Sequence, residues 1–367
     1  MKWRPMIAFA GVLLLFVLCP IPAYAAEVEN QLWDAVDTET LEDAAEGSGD
    51  FSLDDSLNLE AGLGTLAEQA LEQMEGALHG AIRSGGLMLL IVLFCGMGES
   101  LFQSGQTAMT RTADMIGIAA ITLVAVSDTA SMIGLGKEAI GQIEVFSKAL
   151  IPTMSAASAA CGSITGSVVR QASTLLFSDV LITLINRVLI PVIYLYIAVT
   201  AATAALGNKG IAAIAGMMRR GVKGVMTAIL LIFTGYLSIS GAAAGTADAV
   251  TLKTTRLAIS SMVPVVGGIL SDATETVLVG AATIRTVIGI FGTLAVLGFC
   301  VVPFLYLGAQ YLVYKLIAVL ASVLYQGTIS ELIDQIGAAF GLVLGMLGSC
   351  ALLILISLIG TISVAVS

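Results

Sequence analysis

Six stretches of this chain are almost without charge and run at least 20 residues each: Arg83–Gln103, Ala113–Leu135, Ala172–Leu206, Val222–Ala244, Thr286–Leu307 and Ile336–Ile362. Twenty apolar residues in a helix span the roughly 30 Å hydrocarbon core of a bilayer. Lipid offers no partner for a backbone N–H or C=O, so segments of this kind must satisfy their own hydrogen bonds as helices. The composition agrees, with 11% charged residues, 57% hydrophobic residues and a mean hydropathy of +0.99, against about 25% charged in soluble domains. The expected fold is all-α, a polytopic membrane protein of six or seven spans. Two further stretches are ambiguous. Ala139–Val169 is apolar but holds Glu144, Lys148 and Pro152, and Ala309–Tyr325 sits tight against its neighbour. Ala172–Leu206 is too long for one straight span and contains Asn186, Arg187 and Pro191. It reads as a kinked helix or as two half-helices.

Charge divides the chain. Lys2 and Arg4, an apolar run from Met6 to Leu18, and Ala23-Tyr24-Ala25 have the form of a cleavable signal over residues 1–25,. Glu27 to Glu75 then holds fifteen acidic residues and no Lys or Arg, while the rest of the chain has eleven acids and sixteen bases. Residues 26–82 are therefore expected to form an acidic, partly disordered leader outside the cytoplasm, ahead of a multi-span domain over 83–367. Its anionic character argues against nucleic acid as a partner. The densest basic loop, Lys209, Arg219, Arg220 and Lys223, belongs on the cytoplasmic side,. An odd number of crossings must then precede it, which leaves Ala139–Val169 outside or re-entrant.

Between the last apolar segments lies Val250–Val277, VTLKTTRLAISSMVPVVGGILSDATETV. Its apolar residues recur at helical spacing, with Lys253, Arg256, Asp272 and Glu275 on the other face, and Pro264 with Gly267 and Gly268 should bend it,. A bent amphipathic helical insert of this kind is suited to docking a partner at the membrane surface, with those four charges giving orientation. The charged residues inside apolar segments are Glu99, Asp128, Asp179, Arg187 and Glu275. Asp179 and Arg187 are about two turns apart and form either an ion pathway or a mutually satisfied pair. Gly337, Gly341 and Gly345 make a ridge that lets a second helix approach closely,.

Several chemistries find no residues here. His79 is the one histidine, no cysteine pair has metal-ligand spacing, and no GxxxxGK[ST] loop occurs,. No catalytic residue, metal or cofactor is expected, and nucleotide energy would have to come from a partner.

The run TLKT-R, PV-G and SDATETV resembles the stage III sporulation protein AE family of endospore-forming bacteria. The likeness is residue-specific from Val250 to Gly292 and extends in hydropathy from Arg83 to the C-terminus. It implies a multi-pass protein of the mother-cell membrane around the forespore. There it would be one component of a secretion-like channel complex needed for forespore development. The partners so implied are the other proteins of the stage III sporulation operon, among them a separate ATPase, together with membrane lipid. A secondary transporter working through intramembrane charges, and a scaffold that conducts nothing, are the alternatives.

Overall fold

The computed structural model describes residues 38–49, 59–101, 107–161, 164–262, 267–325 and 328–363, with side chains described except at 38–39, 59, 99–111, 113, 164–165, 241–262, 267–278 and 362–363. A short helix, α1 (Thr38–Ala45), precedes α2 (Leu59–Leu101) and α3 (Thr107–Ala160). The next rod has three parts: α4 (Ile164–Leu184), a π turn (Ile185–Leu189) and α5 (Ile190–Leu206). Three more follow, α6 (Lys209–Met262), α7 (Gly267–Leu324) and α8 (Thr328–Ser363). Among the described residues six helical rods are long and apolar enough to cross a membrane. The protein is an all-α polytopic membrane protein.

The rods are longer than a membrane requires. At 1.5 Å per residue the 54 residues of α3 reach roughly 80 Å, more than twice the hydrocarbon thickness,. This length resolves both ambiguous stretches. Ala139–Ala160 is the second half of α3, not a separate external or re-entrant element, and Ala309–Leu324 is the second half of α7. Gly136, Lys137 and Glu138 separate the apolar runs without breaking the helix, and Pro152 and Pro303 lie inside α3 and α7. The charge boundary at 82/83 likewise falls inside α2, which is uninterrupted from Leu59. The insert Val250–Val277 is divided between elements: its first part completes α6 and its last part opens α7. Residues 263–266, with Pro264 at the expected bend, lie outside the described residues.

Cross-helix contacts give each rod its direction. Gly76 of α2 faces Tyr306 of α7 and Gly96 faces Leu324, so α2 and α7 are parallel. Gly337, Gly341 and Gly348 of α8 face Tyr314, Tyr311 and Phe304, so α8 is antiparallel to α7. Successive rods therefore alternate between a Leu59 end and a Lys209 end. In the middle lies α7, with 67% of its most apolar window buried, beside α8 with 61%; α6, with 17%, is peripheral. Phe146 of α3 seats its ring against Phe291 and Phe299 of α7, at 6.3 and 5.7 Å. Tyr314 meets Phe340 edge-on at 4.8 Å. Lipid tails are as apolar as these side chains, so close packing rather than burial from water distinguishes this arrangement. Helix α1 also joins the core, through fully buried Leu41 and nearly buried Ala45, so part of the acidic leader is docked against the bundle.

Candidate functional site: a polar seam in the apolar bundle

Asp128 sits within the apolar run of α3, where a charged side chain costs about 2.5–3.5 kcal/mol on insertion scales. Its Oδ2 accepts hydrogen bonds from Tyr314 Oη at 2.7 Å and from Gln310 Nε2 at 2.8 Å. The same Gln310 amide donates to Ser84 Oγ at 3.0 Å. Gln310 and Tyr314 are four residues apart on α7, hence on one face, and both are buried. One side chain from α2, one from α3 and two from α7 thus meet around a single carboxylate. Hydrogen bonds within membranes contribute roughly 0.6–1.7 kcal/mol each, so the two donors offset a large part of the insertion cost. The contact can fix the mutual register of three helices.

The seam continues towards the Lys209 end. Asp114 lies fourteen residues before Asp128, about four turns and so on the same side of α3,, and it accepts the hydroxyl of Tyr325. Lys315 pairs with Asp334 at 2.5 Å, joining α7 to α8. Tyr196 Oη donates to the carbonyl of Gln335 at 3.0 Å, joining α5 to α8. At the opposite end, Arg170 and Arg285 are buried, with 6% and 2% exposure. Burial pushes the Cys161 thiol up, against the opposing pull of the Arg285 guanidinium, so Arg285 lies near the α3–α4 turn.

Of the residues singled out by sequence, Asp128 is in the seam. Asp179 and Arg187 are both exposed on the α4–α5 rod, with the π turn starting between them. Asp179 acts electrostatically on Lys148 of α3, which is bonded to Glu144 at 2.6 Å. Gly337 and Gly341 face Tyr314 and Tyr311 of α7, while Gly345 faces Met226 of α6. The side chains of Lys253, Arg256, Asp272, Glu275 and Glu99 lie outside the described residues. Ser84, Gln310, Tyr314 and Arg285 escaped sequence reasoning. Gln310 was legible as an amide in an apolar run, but it falls where one helix reads as two segments. Arg285 stands just before the apolar run Thr286–Leu307, where it looks like an edge residue.

The π turn has a local cause. Ile190 N–H reaches back to Ile185 O, the five-residue spacing of a π bond,. Pro191, at the start of α5, supplies no N–H to an α bond,. The turn sits where one extra residue has been accommodated without ending the helix.

Comparison with known proteins places this architecture. No solved structure matches the chain. Stage III sporulation protein AE of Bacillus subtilis (strain 168) is similar to it, 25% identical over 276 residues that cover 74% of this chain and 69% of that protein. The family model described as stage III sporulation protein AE matches residues 55–366, a range that takes in all six long rods and the polar seam between them. The chain therefore belongs to the stage III sporulation protein AE family.

Proposed function

We propose that the protein is a membrane component of a secretion-like channel complex that links mother cell and forespore and is needed for forespore development. The observation that carries this reading is the family match over residues 55–366, which includes the six long apolar helices among the described residues. The fold supports an assembly role. The helices are far longer than one bilayer crossing, α6 running over 54 residues from Lys209 to Met262. Such extensions offer polar surface to other proteins of the stage III complex, including an ATPase, from a base fixed in the mother-cell membrane. Lys253, Arg256, Asp272 and Glu275 are the residues proposed to orient that docking. The test is to reverse charges at Arg256 and Asp272 in sporulating cells. The expected variants are inserted and abundant, no longer co-purify with the other stage III proteins, and arrest after engulfment. Normal assembly and sporulation would sink the docking role.

A second reading, a secondary transporter, is favoured by the π turn that contains Arg187 together with the hydrogen-bonded Asp128. Non-α backbone and intramembrane carboxylates recur at transport sites. Asp179→Asn and Arg187→Gln discriminate. Complete loss of function at normal abundance supports transport, whereas lowered abundance supports a structural role within the channel component.

A further inference from the structure

A second group of polar side chains meets at the Leu59 end of the bundle, towards which α3 and α8 run and from which α4 starts. Ser155 and Ser158 near the end of α3, Ser167, Arg170 and Gln171 in the first two turns of α4, and Ser357 and Thr361 near the end of α8 line one small cavity. Ile151, Ile354 and Leu358, all nearly buried, close it with apolar side chains.

Most of these hydroxyls are committed within the chain. Ser155 Oγ donates to the carbonyl of Ser167 at 3.3 Å, and Thr361 Oγ1 donates to that of Ser357 at 2.8 Å. Ser357 Oγ and Thr174 Oγ1 share a hydrogen bond of 2.6 Å. Ser158 differs. It is fully buried at 0% exposure, and its Oγ makes no hydrogen bond to any described residue. Buried hydroxyls are almost always bonded, so this one points to something held in the cavity.

What it holds follows from charge and from the balance of donors and acceptors. The buried guanidinium of Arg170 brings a full positive charge to the wall, and among the described residues no carboxylate lines it. With five N–H donors a guanidinium can serve the cavity beside its other partners. The first two turns of α4 add the positive end of a helix dipole,. A water would need acceptors for two hydrogens, whereas the carbonyls of Ser167 and Ser357 already accept from Ser155 and Thr361. An anion needs donors only, and its attraction to Arg170 is strengthened by the low dielectric of the interior. The cavity measures about 20 Å³, room for one particle of about water's size and too little for a phosphate or a carboxylate group,. We propose that the junction of α3, α4 and α8 binds a single halide ion, chloride in the cell, held by the Ser158 hydroxyl and the Arg170 guanidinium. The ion ties three helices together at the Leu59 end, as the Asp128 carboxylate ties three others further along the bundle.

The test uses the purified full-length chain in detergent, with thermal unfolding followed at constant ionic strength as gluconate is replaced by chloride or bromide. The site predicts a saturable rise in Tm of about 2–4 °C with either halide. Ser158→Ala, which removes one donor, should raise the half-saturating halide concentration several-fold. Arg170→Gln should abolish the response. A rise in Tm that does not saturate, or the same half-saturation in Ser158→Ala as in the parent, would overturn the proposal even if Arg170→Gln fails to accumulate. Crystals grown in bromide give a direct reading. One anomalous peak between Ser158 and Arg170 is expected, and bromide found only on the surface would sink the site. None of these readouts involves sporulation, so they can fail while the channel reading stands.

Discussion

A carboxylate inside an apolar bundle imposes unequal costs on its substitutions. Asp128→Ala would leave the buried amide of Gln310 and hydroxyl of Tyr314 short of an acceptor, at about 1–3 kcal/mol for each donor left without a bond. Asp128→Asn keeps one acceptor oxygen. We expect thermal unfolding in detergent to show a loss of roughly 1–3 kcal/mol for the alanine variant and less than half of that for asparagine. Equal losses would mean that the acceptor bonds are not what the site contributes. The glycines of α8 grade in the same way. A Cβ at Gly337 would stand 3.0 Å from the Cβ of Tyr314, an atom fixed to its backbone, whereas at Gly345 it would stand 3.5 Å from the flexible end of Met226. Gly337→Ala should cost about 1–3 kcal/mol by overpacking, with Gly345→Ala close to neutral. Comparable destabilisation by the two would contradict the close approach at Tyr314.

At the scale of elements, the π turn between α4 and α5 gives a deletion test. One residue fewer within Ile185–Leu189 converts a five-residue hydrogen-bond spacing to the four of an α-helix while both flanks keep their faces,. Thr174 can then still meet Ser357, and Tyr196 can still reach Gln335. Removing exposed Val188 is therefore expected to leave abundance within about twofold of the parent, since surface changes typically cost under 0.5 kcal/mol,. Removing Val199 turns the end of α5 by about 100° against α8 and should deplete the protein. Immunoblotting of membrane fractions reads both. If the Val188 deletion accumulates yet abolishes sporulation, the turn serves function rather than folding. The signal for this element was partly legible: Asn186, Arg187 and Pro191 marked an irregularity in an overlong apolar run. Whether it was a kink, a pair of half-helices or a π turn depended on which carbonyl Ile190 reaches, and that depends on the neighbours holding both flanks in place.

For the whole molecule, the alternating rods place Leu59 and Lys209 at opposite ends of the bundle. With the basic loop in the cytoplasm, a reporter fused near Leu57 should be external and one near Gly210 cytoplasmic. Alkaline phosphatase and fluorescent-protein fusions test this, and a cytoplasmic signal at Leu57 would invert the orientation.

The amount of apolar residue, its division into runs longer than 20, and the scarcity of charge already required a helical membrane protein, because hydrocarbon leaves the backbone no other way to satisfy its hydrogen bonds,. The residues of TLKT-R and SDATETV pointed to the family. Helix ends were less legible. A hydropathy window sees about one membrane thickness, so it cuts α3 and α7 in two where each runs on for 54 and 58 residues. The polar seam was beyond local pattern altogether, since Ser84, Asp128 and Gln310 come together from positions as much as 226 apart. Hydrophobic spacing tells a helix which of its faces is apolar, but partner and height are chosen by packing. Where glycines admit a neighbour and a single carboxylate must find its donors, only the folded bundle decides which side chains meet.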